Sequence, residues 1–564
     1  MQLTLRYLFV FVLLLPALRP AMAQSPNVPL NADYYQLIDR KVIKSGTLNQ
    51  PFYTTVRGYQ RHQVAGFMAT YPDSTLHYDA RSRFNREYLL QDNWEYADTI
   101  DWESENPFWN KFYRSKSDLY SVHIKDFDLH LNPVLGLSAG KETGAEDLRF
   151  INTRGLQLRA TIDDRIGVYT FIGENQIRFP DWTRDYIRQQ DVVPGEGFWK
   201  VYKDDTTAFD FITARGYLSF RVTDHINLQF GQDRFFFGDG YRSLILSDFP
   251  KDYLFLKIQT NVWRINYTNL FAEMIARVPA TFNGAKPNLR YPRKYLAFHH
   301  LGVRILDNLQ VGLFEAVMYG DEEQNGFDIS YLNPIIFYRA IEQQNGSVDN
   351  AILGLDARWD FLRRFSLYGQ LVIDEVVLDE LRAGDGWWAN KFGVQAGGKY
   401  IDAFGISHLD LQGEVNLVRP YTFTHVGDFT NYAHYRQPLA HPLGANFKEF
   451  VGIARYQAHE RIFLTGRLLR ASYGTDTTGV NYGGDVLKDY NTREQEYGNE
   501  IGQGISNTVT QGILDVRYMW KHNLFLEASY TVRRHESDLM LSPEQTHYIQ
   551  GGLRWNLPAR QFDY

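Results

Sequence analysis

Apolar and polar residues alternate one by one along most of the chain from about Phe127 to the C-terminus. In residues 156–163, Leu, Leu, Ala and Ile are interleaved with Gln, Arg, Thr and Asp. The same alternation recurs at 218–223, 226–230, 353–360, 409–417 and 524–532. A period of two residues is typical of β-strands, whose successive side chains point to opposite faces. The pattern therefore predicts many strands, each with one apolar face and one face that carries charges and amides.

The connections between these strands alternate between short and long. Short turns are predicted near 163–165, 224–225, 261, 307–308, 361–364, 403–406, 459–460 and 521–522. Long polar loops are predicted near 140–153, 179–209, 235–252, 278–295, 321–350, 378–389, 421–447, 473–508 and 537–545. Short turns at the periplasmic side and long loops at the cell surface are typical of outer-membrane β-barrels.

The number of loops determines the number of strands. Nine long loops, each joining an upward to a downward strand, require 18 strands, with both termini on the periplasmic side. One miscounted hairpin would give 16 or 20 strands. A closed sheet leaves no exposed edges. The predicted fold class is all-β: an 18-stranded antiparallel transmembrane barrel with a small N-terminal periplasmic helical extension.

The two ends of the chain differ from the middle. Residues 1–23 have the form of a signal peptide, with Arg6, an apolar run at 7–18 and a small-residue cleavage site before Gln24. No cysteine follows that run, so lipoprotein anchoring is excluded. We expect residues 24–118 to form a periplasmic or plug-like extension and residues 119–564 to form the barrel.

Within the extension, residues 33–41 and 80–93 have helical character, and Gly46 is placed to end the first helix. At the other end, residues 548–557 alternate as a last strand, followed by the terminal aromatics Phe562 and Tyr564. Such an end is what barrel-assembly machinery is expected to recognise.

Composition narrows the class of protein further. Aromatic residues make up 15% of the chain and the mean hydropathy is −0.38, a profile that fits a soluble protein and equally a barrel with a polar lumen and aromatic girdles. After the signal peptide no apolar run approaches the ~18–20 residues that a membrane helix needs. The net charge of −7 is mild and gives no reason to expect nucleic acid as a partner.

The segment from Gly231 to Asp248 is the strongest candidate for a binding site. It places Asp233, Arg234, Asp239 and Arg242 around three consecutive phenylalanines at the outer end of a strand. One interpretation is a loop that constricts the lumen and presents an Arg/Asp site to an anionic or hydroxyl-rich ligand. The other, which we favour, is an internal ion-pair network that holds the loop against the barrel wall.

Aromatic residues in two predicted outer loops form a second candidate. Trp387, Trp388, Tyr432 and Tyr435 could offer flat apolar faces to sugar C–H groups while neighbouring amides bind hydroxyls. The alternative, again favoured, is anchoring at the membrane interface.

The sequence predicts no metal site and no cofactor. There is no cysteine, and the acidic stretch from Asp321 to Gly326 lacks the glutamate that a calcium loop needs, having Leu332 there. His299 and His300 are neighbours in a strand and point to opposite faces. His425, His434 and His441 match no ligand spacing and are expected to be hydrogen-bonded loop residues.

The sequence also predicts no catalytic residues. No G-x-S-x-G motif occurs, and there is no convincing serine–histidine pair for an outer-membrane lipase.

A family resemblance joins several of these segments. The chain resembles the Wzi-type capsule-assembly family, including its RemB-like gliding-motility relatives. The resemblance lies in residues 231–248, 255–258, 263–267, 331–334 and 349–354 and in the last strand at 552–557. The resemblance implies an 18-stranded barrel with periplasmic helices that helps to retain surface polysaccharide. Family members usually carry tryptophans where this chain has Phe235 to Phe237, so no ligand-contact residue is carried over.

Three functional hypotheses follow. The first is a non-catalytic outer-membrane protein that assembles or attaches capsular polysaccharide and is linked to gliding motility. The second is a diffusion porin, which would have an open lumen. The third, least favoured, is an outer-membrane enzyme. The expected partners are outer-membrane lipid, surface polysaccharide and barrel-assembly machinery, and the oligomeric state is left open.

Overall fold

The computed structural model describes residues 24–30, 32–70, 79–97, 100–105, 108–109, 111–203, 205–278, 291–320, 327–335, 337–338 and 349–564. The predicted signal peptide and the acidic stretch at 321–326 lie outside the described residues. Among the helices in the described part of the chain, none is long and apolar enough to cross a membrane.

The alternating segments form one closed antiparallel barrel of 18 strands, which confirms the predicted fold class. Each strand pairs with its neighbours in sequence, and β18 pairs with β1, with Trp555 opposite Leu135, so the sheet closes. The strands are β1 (Phe127–Glu142), β2 (Arg149–Ile162), β3 (Ile166–Arg178), β4 (Asp205–Arg221), β5 (Ile226–Asp233), β6 (Tyr253–Val262), β7 (Ile265–Ile275), β8 (Arg293–Leu306), β9 (Leu309–Tyr319), β10 (Asn350–Phe361), β11 (Phe365–Glu375), β12 (Lys391–Tyr400), β13 (Leu409–Val418), β14 (Phe447–His459), β15 (Ile462–Thr475), β16 (Ile505–Lys521), β17 (Leu524–Ser537) and β18 (Glu544–Trp555).

Short extra strands complete the sheet. Residues Tyr120–Ile124 pair with β1 and Lys200–Tyr202 pair with β4. Ala433–His434 and Gln437–Pro438 form a separate small hairpin in the loop between β13 and β14.

Most predicted turns and loops fall between the observed strands, but the turn predicted at 261 lies at 263–264, because Asn261 and Val262 still pair with the next strand. The lengths of the turns and loops differ less than expected. The loops at 143–148 and 538–543 are shorter than predicted, because β1, β2, β17 and β18 continue their pairing outward. The turn at 401–408 is longer than either, with left-handed backbone at Asp402. We refer below to the long-loop end and the short-turn end of the barrel.

The alternation separates an apolar outer face from a mostly polar lumen. Leu301, Leu313 and Leu355 lie opposite one another on β8, β9 and β10, and their side chains are 36%, 53% and 41% exposed on the outer wall. On the next position of β8, His300 points inward and contacts Asp356 at 2.6 Å. An exposed apolar band around a closed sheet is the surface that a barrel presents to lipid.

Five α-helices accompany the barrel in the described residues. Three precede it: α1 (Tyr35–Ser45), α2 (Arg61–Thr70) and α3 (Ala80–Gln91). Two lie in loops: α4 (Asp181–Gln190) and α5 (Leu378–Ala383). The sequence predicts α1 and α3, and Gly46 ends α1 in the left-handed conformation with φ 73°. It misses α2, which has a glycine at position 66 in its middle and weak helix propensity.

The N-terminal helices plug the short-turn end of the lumen and are held there by ion pairs with the wall. Asp33 accepts from Arg554 of β18 at 2.8 Å. Asp39 contacts Arg358 of β10 at 2.7 Å and Lys399 of β12 at 2.6 Å. Burial alone would raise the pKa of Asp39, but these two cations outweigh it and hold the pKa well below its usual range. The domain boundary at residue 118 remains a prediction.

Candidate functional site

The segment between β5 and β6 folds back into the lumen and is clamped there. Phe237 is fully buried, and its ring centroid lies 4.6 Å from that of Phe298 on the wall. Gln370 of β11 donates to the carbonyl of Phe237 at 2.9 Å and accepts from the backbone N–H of Leu244 at 2.7 Å. From the N-terminal side, the carbonyl of Thr55 accepts from the N–H of Gly238 at 2.8 Å. Backbone groups that a loop would otherwise leave unpaired are thus satisfied by the wall and the plug.

Two of the predicted charged residues form buried ion pairs with the barrel wall. Asp239 accepts from Arg358 at 2.8 Å and from the hydroxyl of Thr55 at 2.9 Å. Arg242 donates to Glu449 of β14 at 3.1 Å and lies 3.4 Å from Asp563. This is the arrangement that the favoured interpretation predicts: a network that holds the segment in place.

The other two predicted charges are less tightly paired. The carboxylate of Asp233 is 3.9 Å from the guanidinium of Arg215. Arg234 donates to the backbone carbonyls of Asp248 at 2.8 Å and Gly195 at 3.5 Å. Burial, and then the charge of Arg215, lower the pKa of Arg234. Its guanidinium is thus held in place by backbone carbonyls.

All four predicted charges line a single cavity. This cavity has a volume of about 390 Å³ and lies between the plug, the 234–252 segment and the residues that follow β18. Whether these residues bind a ligand remains a prediction.

Sequence reasoning missed a third segment within the lumen. Residues 556–564, here called the tail, follow β18 and run toward the long-loop end. The carbonyl of Phe562 accepts from the side chains of Trp182 at 3.1 Å and Gln511 at 3.2 Å. The ring of Tyr564 packs 5.6 Å from that of Phe249. The tail lines both the main cavity and a second cavity of about 190 Å³, and so divides the lumen.

The last strand of the barrel ends earlier than the sequence predicts. The predicted strand extends to residue 557 and leads directly to terminal aromatics, but pairing ends at Trp555. Pro558 has no N–H to continue the ladder, and this is the signal that the sequence offered. Recognition by barrel-assembly machinery stays a prediction, with Trp555 as the aromatic residue that ends the strand.

The predicted aromatic residues of the outer loops separate into two groups. Trp387 and Trp388 are half-buried, with ring centroids 6.3 Å apart. The guanidinium of Arg493 lies 4.1 Å from the ring of Trp388, and the ring of Tyr490 lies 5.0 Å away. This aromatic and cationic cluster, formed by Trp387, Trp388, Tyr490 and Arg493, is called the outer cluster.

Tyr432 and Tyr435 lie deeper than the sequence suggests. Tyr432 is 1% exposed, and its hydroxyl donates to the carbonyl of Ile245 at 2.8 Å. This hydrogen bond links the loop between β13 and β14 to the lumenal segment. Tyr435 is 6% exposed and packs edge-on against Tyr291 at 6.1 Å. Neither ring presents an open face, so of the four predicted aromatic residues only Trp387 and Trp388 are half-exposed.

The histidines behave as the sequence predicts. His425 contacts Thr430 at 2.8 Å, His434 accepts from the N–H of Ile275 at 3.0 Å, and His441 contacts Glu449 at 2.7 Å. Each has its own partner. In the described part of the chain no group of three acidic or histidine side chains could hold a metal ion.

A closed β-barrel with an apolar outer band, a plugged lumen and long loops at one end defines an outer-membrane barrel protein. The family described as capsule assembly protein Wzi matches residues 173–547, which is more than half of the chain. The chain therefore belongs to the Wzi capsule assembly family.

One solved structure has the same fold, and two others are more distantly similar. Wzi from Escherichia coli, described as a carbohydrate-binding β-barrel of the outer membrane involved in group 1 capsule assembly, is 13% identical with a TM-score of 0.54. The alignment covers 96% of this chain and 100% of that one. OprD from Pseudomonas aeruginosa is 12% identical with a TM-score of 0.41, covering 77% and 96%. OccK2 from the same organism, solved with glucuronate, is 10% identical with a TM-score of 0.39, covering 77% and 97%. No curated protein matches the chain.

Proposed function

We propose that the protein is a non-catalytic outer-membrane barrel that assembles or attaches capsular polysaccharide at the cell surface. Membership of the capsule assembly family supports the cellular process. The observation that carries the proposal is the filled lumen. The N-terminal helices, the 234–252 segment and the tail all occupy it, and each is bonded to the wall. A barrel filled in this way suits a binding scaffold better than a diffusion pore.

The outer cluster is the proposed contact for saccharide. Sugars bind where flat aromatic faces meet C–H groups and where charged donors meet hydroxyls or carboxylates. Trp388 and Arg493 bring both kinds of contact within 4.1 Å at the long-loop end. The carbohydrate binding described for Escherichia coli Wzi is consistent with such a contact.

Loss of the gene product tests the proposal. A deletion strain is expected to synthesise capsule normally but to release it, so that polysaccharide moves from the cell pellet to the medium. Re-expression should restore cell-bound capsule. Unchanged cell-bound capsule together with slower uptake of small solutes would contradict attachment and favour the porin hypothesis. Gliding motility, which the RemB-like resemblance suggests, is measured in the same strains as colony spreading.

A further inference from the structure

Part of the loop between β9 and β10 folds along the outside of the barrel. Residues 327–335 and 337–338 are called the strap. The ring of Tyr331 stacks on Tyr319 of β9 at 4.5 Å and is 1% exposed. The ring of Tyr338 stacks on His299 of β8 at 4.5 Å. The hydroxyl of Tyr267 of β7 donates to the carbonyl of Pro334.

The strap covers a row of polar side chains on the outer wall. Asn269, His299 and Glu315 lie opposite one another on β7, β8 and β9. They face away from the lumen, because the neighbouring residues Phe298 and Phe314 stack inside it. His299 Nε2 is 3.0 Å from the carboxylate of Glu315. We call these three residues the polar row.

Apolar rows lie on both sides of the polar row. One step toward the long-loop end, Phe271, Ala297 and Val317 lie opposite one another. One step toward the short-turn end, Leu301 and Leu313 are exposed on the wall. The polar row thus lies within the band that faces hydrocarbon, where ionisable groups are costly and rare.

The strap removes that cost by burying the row. The backbone N–H of Tyr338 donates to Glu315 at 2.8 Å, and the ring of Tyr338 covers His299. Asn269, His299 and Glu315 are left 2%, 8% and 1% exposed. Without the strap, a carboxylate and an imidazole would face the bilayer.

The outer side of the strap is apolar in turn. Ile329, Ile335 and Phe337 are 77%, 84% and 72% exposed. Ile335 follows Pro334, whose carbonyl accepts a hydrogen bond from Tyr267, the residue opposite Leu301, so Ile335 lies near the level of the exposed apolar row. These side chains therefore continue the surface that the barrel already presents to lipid.

We propose that the strap is embedded among lipid acyl chains, where it forms a membrane-inserted face and seals the polar row from the bilayer. This inference is independent of the proposed role in capsule attachment. Its partner is the hydrocarbon of the leaflet at the long-loop end.

Site-directed labelling tests the proposal cleanly, because the chain has no cysteine of its own. Ile335→Cys is labelled with an environment-sensitive fluorophore and reconstituted in phosphatidylcholine vesicles that contain acyl-chain nitroxide lipid. Leu313→Cys reports the lipid-facing wall, and Leu541→Cys reports water, since Leu541 is fully exposed in the 538–543 loop. The label at Ile335 is expected to lose as much fluorescence to nitroxide lipid as the label at Leu313, and to resist aqueous iodide.

The opposite pattern overturns the proposal: a label at Ile335 that iodide quenches as it does at Leu541, with no loss to nitroxide lipid. Quenching by lipid that appears only when the protein is diluted in the vesicles would mean that a second copy covers this face, and would also overturn it. Heat-modifiable migration on gels verifies folding. Ile329→Cys repeats the measurement on the same face if Ile335→Cys does not fold.

Discussion

Arg242 of the lumenal segment donates to Glu449 of β14 across 3.1 Å, and both side chains are buried although 207 residues separate them in sequence. The sequence suggests Asp233 or Asp239 as the partner, because both are close along the chain. In the structure neither holds Arg242. The fold instead uses a wall residue and the tail residue Asp563, so one guanidinium joins three parts of the lumen.

Loss of Arg242 should therefore destabilise the barrel. Arg242→Ala leaves the buried carboxylate of Glu449 without its cation, a cost on the order of 3–5 kcal/mol for a truly buried pair. The folded band on unheated gels is expected to disappear at lower temperature. The double variant Arg242→Ala/Glu449→Gln should recover part of that loss, since the orphaned charge is gone.

Arg234→Ala is the matched control for this experiment. Arg234 lines the same cavity, but its guanidinium donates to backbone carbonyls, and its hydrogen bond to the carboxylate of Asp233 comes from the backbone N–H, which the substitution keeps. Arg234→Ala should lower the stability of the folded barrel clearly less than Arg242→Ala does. Equal losses from both variants, or no recovery in the double variant, would argue against the ion pair as the reason for the instability.

The strand number could be predicted from the sequence, whereas the contents of the lumen could not. The wall must present apolar groups to lipid at every second residue, so its period is visible along the chain. The tail and the lumenal segment carry no such period, because apolar side chains such as Phe237 and charged ones such as Arg242 are both buried there, each against a matching group of the wall or the tail. Partners such as Glu449 and Asp563 depend on which strands face each other across the barrel. One feature of the sequence points to the strap: the apolar residues around Ile335 lie in a loop that is otherwise predicted to be polar.

Gly240 gives a second test of how tightly the segment fits. A Cβ at this position would lie 2.5 Å from a carboxylate oxygen of Glu414 and 2.8 Å from the carbonyl of Arg242. Gly240→Ala should shift the segment at a cost of about 1–3 kcal/mol, as overpacking does elsewhere. The midpoint of thermal unfolding measures it. Gly413→Ala on β13 is the control, since no atom lies within 4 Å of its Cβ, and a similar loss there would contradict this explanation.

Acid should loosen the N-terminal plug through His62 of α2. Burial, and then the charge of Arg221, lower the pKa of His62 to about 4. The unfolded segment takes up a proton near pH 6.5, the folded one only near pH 4, so stability is lost as the pH falls through this window. Ion conductance across planar bilayers should rise over the same range as the plug loosens.

His62→Gln should flatten that dependence, because the substituted side chain does not titrate. The control is His225→Gln, whose exposed ring contacts the backbone carbonyl of Asn261 on β6. A wild-type slope that persists in His62→Gln would assign the pH response to other groups.

Trp388 tests the saccharide contact proposed for the outer cluster. Trp388→Ala removes a half-buried ring that lies 4.1 Å from the guanidinium of Arg493, and so removes both an apolar face and the group that orients this cation. An aromatic contact worth about 0.5–1.5 kcal/mol corresponds to roughly 2- to 10-fold weaker binding of purified capsular polysaccharide. Trp388→Phe keeps a ring and should retain much of the affinity.

Trp263→Ala is the control. It removes a tryptophan that is 81% exposed at the opposite, short-turn end, and it should leave binding and cell-bound capsule unchanged. If Trp263→Ala releases capsule as Trp388→Ala does, the loss reflects damage to the barrel and the outer cluster is not the contact. If a folded Trp388→Ala barrel binds polysaccharide like the wild type, the saccharide must bind elsewhere on the long-loop end.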